Sequence, residues 1–265
     1  MKRALVPGSH AKCLISLVLI AALFPAGNVE GQGVSVKHKQ GALHGFFTLR
    51  DQAGTIIGAG DLTQVPDGDR IKARMVLHFR DGSIHDETTV YSQKQIFRLI
   101  SDRLVQRGPS FPNPCDIKID MRSQQVSVRA LSKGKETVQT EHMDLPPELS
   151  NGVIFVLIAN LQAEAPKIEL PYLAPTSKPR MVKFAIVADG TEPFKISGRR
   201  YRAVKYDVKV EIGGIAGAVA PIVGKQPPDT YVWVTEGGAP TIVRVDTALY
   251  LDGPVWSIRL ASPVW

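Results

Sequence analysis

A chain of 265 residues, 44% hydrophobic and 22% charged, is long enough to bury a core unaided and too apolar to be intrinsically disordered. Its formal charge of +7 includes no concentrated basic run beyond Arg199-Arg200, which argues against nucleic-acid binding; loose attraction to anionic lipid surfaces is a better use of such a field. Two cysteines, Cys13 and Cys115, exclude a disulfide-framed fold.

Lys2, Arg3 and Lys12 precede an apolar run from Cys13 to Phe24 that is too short to cross a bilayer and is broken by Pro25 and Gly27. This is the pattern of an export signal, with Gly31 marking the cleavage point ahead of Gln32. Residues 1–31 are therefore expected to be a leader. Residues 32–265 are expected to be one mature domain, periplasmic or extracellular and soluble after cleavage. Cys13 stands at the start of the apolar run and not at the cleavage site, so a lipoprotein anchor is not expected. Cys115 is then the single mature cysteine, and its neighbours Pro114 and Asp116 offer no base to hold a thiolate, so it reads as inert.

The strongest local signal runs from Arg70 to Tyr91. Ile71, Ala73, Met75, Leu77 and Phe79 occupy every second position, the period of a strand with one buried face. Asp81-Gly82 reads as a two-residue type I′ turn, and Ile84 to Tyr91 as the returning strand. That turn sets Phe79 opposite Ile84, His78 opposite His85 and Ala73 opposite Val90, and it places Asp86 on the apolar side opposite Leu77. Upstream, His44–Arg50 and Thr55–Val65 form a hairpin around Asp51 to Gly54, and Pro66-Asp67-Gly68-Asp69 is a turn.

Further strands are predicted at Gln95–Gln106, Asp116–Arg122, Gln125–Leu131, Met181–Ala188, Phe194–Ile196, Tyr201–Ile212, Thr230–Thr235, Thr241–Tyr250 and Val255–Ala261. Short turns between them exclude parallel neighbours. Pro146-Pro147-Glu148 opens a nearly all-apolar stretch around Phe155 that ends at Pro166, and this predicts a buried helix over about 147–164. The expected fold is mainly β: a single curved antiparallel meander sheet or half-barrel with one apolar helix against its concave face.

No catalytic signature emerges. Gly213, Gly214, Gly217 and Gly224-Lys225 lack the spacing of a phosphate loop, and Gln226 stands where a hydroxyl residue would ligate magnesium. Nucleophile-elbow and His-Glu-x-x-His patterns are absent from the sequence. His78 and His85, with Glu87 nearby, are the one candidate metal set, weighed against a plain exposed cross-strand pair; His44 cannot be placed from sequence. Met75, Leu77, Phe79, Phe155 and Tyr206 either fill a core or line a tunnel for an acyl chain. Asp86 among them favours a cavity, because a carboxylate sealed in a core needs a partner.

Gly217-Ala218-Val219-Ala220-Pro221, Gly224-Lys225-Gln226-Pro227-Pro228, Tyr231-Val232-Trp233-Val234 and Gly253-Pro254-Val255-Trp256 look like the closing part of an exported bacterial family. With its leader, meander and apolar helix, the chain resembles the lipoprotein-carrier group, the LolA- and LolB-like fold. The resemblance implies binding and carrying of lipid or acyl groups in the cell envelope without covalent chemistry, and it transfers no binding residue. The function expected is a non-enzymatic envelope carrier for a lipid, acyl chain or lipidated polypeptide, without cofactor or metal and with peripheral membrane contact. The alternatives are an envelope module that pairs through strand edges, or a hydrolase or metal protein built on His78 and His85.

Overall fold

The computed structural model describes residues 33–132, 135–174, 176, 178–196, 198–211 and 227–261. The expected leader at 1–31 and the glycine-rich segment at 213–224 lie outside the described residues, as do residues 217–221 and 224–226 of the segments that carry the family resemblance.

Fourteen strands form one antiparallel sheet: β1 (Leu43–Arg50), β2 (Ile56–Asp67), β3 (Arg70–Phe79), β4 (Ile84–Gln93), β5 (Phe97–Arg107), β6 (Cys115–Asp120), β7 (Gln125–Ser132), β8 (Lys135–His142), β9 (Ile168–Ala174), β10 (Arg180–Ile196), β11 (Arg199–Glu211), β12 (Thr230–Thr235), β13 (Ile242–Ala248) and β14 (Val255–Leu260). The expected mainly β meander is what the chain forms. Two ribbons, β1 to β8 and β9 to β14, run up and down in chain order, and β1 pairs with β14 to join them in mid-sheet. The two sheet edges are therefore β8 and β9, consecutive in the chain and linked by the connection that carries α1 (Ile154–Ala159).

The core lies on the face where alternate residues point inward. Leu49 on β1, Ile71, Leu77 and Phe79 on β3, Ile117 and Ile119 on β6, Ile186 on β10, Tyr206 and Val208 on β11 and Trp256 on β14 share one buried cluster. Phe79 meets Phe111 and Trp256 edge-on at 5.3 and 5.0 Å, the aromatic geometry that adds attraction beyond area burial.

The helix is a correction. Only six residues, Ile154–Ala159, are helical, not the whole of 147–164. The reason lies just ahead of it: Gly152 takes a left-handed φ of +64°, which ends any right-handed run. Ser150 and Asn151 are given over to another task. Ser150 donates from its backbone N–H and from Oγ to the Pro171 carbonyl, at 2.9 and 2.7 Å. Asn151 accepts from Leu173 N–H at 2.8 Å and donates to the Leu173 carbonyl at 2.9 Å. These two residues satisfy part of the open edge of β9, which would otherwise offer unpaired backbone groups to any other strand. Ile154, Leu157, Ile158 and Ala159 are buried, and Asn160 closes the turn, accepting from the N–H groups of Lys37 and His38 at 3.0 and 2.8 Å.

Two strands have no counterpart in the expected set. β8 is KETVQTEH, polar on both sides as an edge strand allows, and β9 holds Pro171, which only an edge tolerates. Conversely, Met181–Ala188 and Phe194–Ile196 are one strand, β10, that bends at an irregularity between Ala188 and Thr191.

Candidate functional site

The turn between β3 and β4 decides which side chains reach the interior. Phe79 N–H donates to the Ser83 carbonyl at 2.9 Å, so the loop holds three residues, Arg80-Asp81-Gly82, with Gly82 at φ +85°. The expected two-residue turn is thereby corrected, and the register moves by one: Leu77 pairs with His85, His78 with Ile84, and Ala73 with Thr89. Because side chains alternate, a one-residue slip sends every residue of β4 to the other face.

Three expectations change with it. His78 stays outside while His85 turns in, 4% exposed, so the two imidazoles do not face one another. Among the described residues no group of three or more His, Cys, Asp or Glu is arranged to hold a metal ion. Asp86 faces outward and not into the apolar side, held by a bidentate pair from Arg74 at 2.9 and 2.7 Å. That pairing keeps the Asp86 carboxyl below its ordinary pKa. The pair lies in an outer depression with Asp61, Thr63, Val76, His78 and Arg107, where ion pairs contribute little. Asp86→Asn is expected to cost under about 1 kcal/mol in urea denaturation.

In place of Asp86, the inner face of β4 carries His85, Glu87, Thr89, Tyr91 and Gln93, a polar stripe down the inside of the sheet. Asp102 extends it onto β5, opposite Thr89, and accepts from Thr89 Oγ1 at 2.8 Å. Asp102 is 4% exposed, and burial pushes its carboxyl up to about 7 against the pull of the Thr89 and Arg103 hydrogen bonds. Burial, reinforced by the charge of Asp102, raises Glu87 well above the carboxylate range. No Lys or Arg side chain offsets either acid. From β9, Tyr172 senses both: burial first, then the charges of Glu87 and Asp102, hold its phenol protonated. Its ring stacks on Phe184 with centroids 4.2 Å apart.

Four polar groups on this wall have no hydrogen-bond partner among the described residues: His85 Nε2, the Tyr91 hydroxyl, the Glu87 carboxyl and the Tyr172 hydroxyl. His85 Nδ1 is engaged, accepting from Gln106 Nε2 at 3.0 Å, so the neutral ring carries its proton on the unpartnered Nε2. Burial lowers the imidazole to about 4, which keeps it neutral. Beyond Gln106 stands Cys115, its thiol 3.8 Å from Gln106 Oε1 and pushed up to about 11 by burial, so it is a thiol and not a nucleophilic thiolate at neutral pH.

The apolar set is brought to the same interior. Leu77, Phe79 and Tyr206 are buried there, Phe155 is half-buried against the same cluster, and Met75 is half-buried on the inner face of β3. Along the inner wall, the cross-strand row Leu62, Met75, Glu87 is half-buried on all three strands. The neighbouring row Gln64, Ala73, Thr89, Asp102 is sealed, and so are Leu77, His85 and Gln106 on the other side. The row is thus accessible on β2 to β4 between sealed ones, and buried Leu104, opposite Glu87, closes it on β5.

No protein-family model matches this chain, and no curated protein matches it. Among solved structures it is similar to a β-barrel-like protein of domain of unknown function DUF1849 from Brucella abortus, at 11% identity and a TM-score of 0.43, over 86% of this chain and 100% of that one. At that distance the fold rests on the chain's own strand pairing.

Proposed function

We propose that this protein is an exported envelope carrier that holds an amphipathic ligand, a lipid, an acyl chain or the lipid of a modified polypeptide, in the concave hollow of its sheet. It acts by burying apolar surface and makes no bonds. The observation that carries this reading is the half-buried row Leu62, Met75, Glu87, open to solvent between two sealed rows. Half-buried Phe155, Tyr172 and Phe184 give apolar surface for a tail. The leader pattern at 1–31 supports the cellular placement.

Titration of the purified chain with the neutral fluorophore N-phenyl-1-naphthylamine tests it. Saturable binding near one site per chain, with Kd on the order of micromolar, is expected. Met75→Trp fills the hollow and is expected to weaken binding about tenfold while moving the melting temperature by only a few degrees, since the added ring enters open space. Absence of saturable binding, together with no lipid released on solvent extraction, sinks the reading.

A further inference from the structure

The hollow is not uniformly apolar, and its polarity has a sign. Glu87 and Asp102 stand on adjacent strands β4 and β5 of one inner face, and Glu87 has no hydrogen-bond partner among the described residues. Around them, β2 contributes Leu62 and Gln64, β3 contributes Ala73 and Met75, β6 contributes Ile117 and Ile119, and the connection ahead of α1 contributes Gly152. None of these is basic. The fully buried Tyr91 hydroxyl and the 4% exposed His85 Nε2 lie on the same strand face, both without partners. Buried polar groups left unpaired cost about 1–3 kcal/mol each, and these two stand on the same strand face as the half-buried Glu87 carboxyl, an arrangement that a hydrogen-bonding ligand would complete.

Resting on the carrier reading above, we propose that the ligand is an amphiphile with a cationic, hydrogen-bond-donating head, an alkylammonium group, seated at Glu87, with sealed Asp102 behind it adding its charge, and with its tail against Met75 and Phe155. An anionic head would add a third negative charge to a wall that has no cation, and a neutral head would leave the carboxylates uncompensated. The stacked rings of Tyr172 and Phe184 add electron-rich faces beside the acids, a surface that favours ammonium. An ammonium head binds the ionised acids, so loading releases to solvent any proton that the empty site holds.

The test is displacement of N-phenyl-1-naphthylamine by three probes that share a tail: decylammonium, 1-decanol and decanoate. At pH 8 decylammonium is expected to bind about tenfold tighter than decanol, with decanoate weakest. At pH 5.5, below the value of about 7 to which burial pushes Asp102 and where burial favours the protonated form of Glu87, that preference is expected to shrink to about threefold or less. The other titratable groups facing the pair do not change over this range: His85 is held near 4, Cys115 near 11, and Tyr91 and Tyr172 are raised. The double variant Glu87→Gln, Asp102→Asn is expected to lose the ammonium preference at pH 8 and to keep decanol binding. The pH arm on the unaltered chain stands even if that variant folds poorly. Equal binding of decanol and decylammonium at pH 8 overturns the head-group inference alone. Failure of all three probes to displace the fluorophore overturns the carrier reading with it.

Discussion

Gly152→Ala is expected to lower the melting temperature by roughly 10 °C, corresponding to about 3–4 kcal/mol. Two independent effects add. The backbone there has φ +64°, where a Cβ is strained by about 1 kcal/mol. The same Cβ would also collide with Thr89 Oγ1, and it would come within 2.5 Å of Asp102 Oδ1 and 2.8 Å of Thr89 Cγ2. Neither neighbour can retreat without breaking the Thr89–Asp102 hydrogen bond. Gly190→Ala separates the two effects, because Gly190 has φ +74° with nothing within 4 Å of its added Cβ. It should cost only the backbone part, about 1 kcal/mol. If thermal melts show the two variants falling equally, the connection ahead of α1 does not press on Thr89 and Asp102 as described.

The second large effect is a gain. Asp102→Asn is expected to stabilise the protein by about 2–4 kcal/mol above pH 7 and by almost nothing near pH 4. Burial pushes the folded carboxyl up to about 7, against the ordinary 3.8 that it has in the unfolded chain. Between those values the folded state keeps a proton that the unfolded state has given up. Stability of the unaltered protein therefore declines as pH rises from about 4 to 7 and then levels off. Asparagine has no proton to lose, keeps the acceptor for Thr89, and removes that decline. His85 works in the opposite direction: neutral in the fold with a pKa of about 4, it withdraws stability as pH falls below 6.5. That contribution is common to both proteins and cancels in the difference. Parallel urea melts at pH 5 and pH 8 decide the matter; a difference that does not widen with pH would mean that burial does not raise the Asp102 carboxyl.

How far these residues could be read in advance depended on where each sits in the sheet. Met75, Leu77, Phe79 and Tyr206 declared themselves by alternation, because central strands with one buried face must alternate. β8 had nothing to alternate, since an edge flanked by solvent can be polar on both sides, and Pro171 disguised β9 as a break. The acid site was hidden by a single loop residue. Asp-Gly fits both a two-residue turn and the second half of a three-residue one, and the choice reverses the faces of β4. With the longer loop the same letters place His85, Glu87, Thr89 and Tyr91 inside, a polar wall that no hydrophobic pattern announces. The sequence overstates α1 because apolar β-branched residues in Val153–Ile158 suit a buried strand, loop or helix alike, whereas the positive φ of Gly152 bars an earlier start and Asn160 caps the end.

The pairing of β1 with β14 carries a consequence for how the molecule is made. Every other ladder joins segments adjacent in the chain and can form as soon as both have left the ribosome. The join in mid-sheet must wait until synthesis has travelled from Leu43 to Leu260, and only then can the two ribbons lock together. That makes it the slow, high-contact-order step of folding. Until it is complete, two long ribbons stand with raw flanks in mid-assembly, and a chain halted before Val255 would be left sticky at what should be its centre.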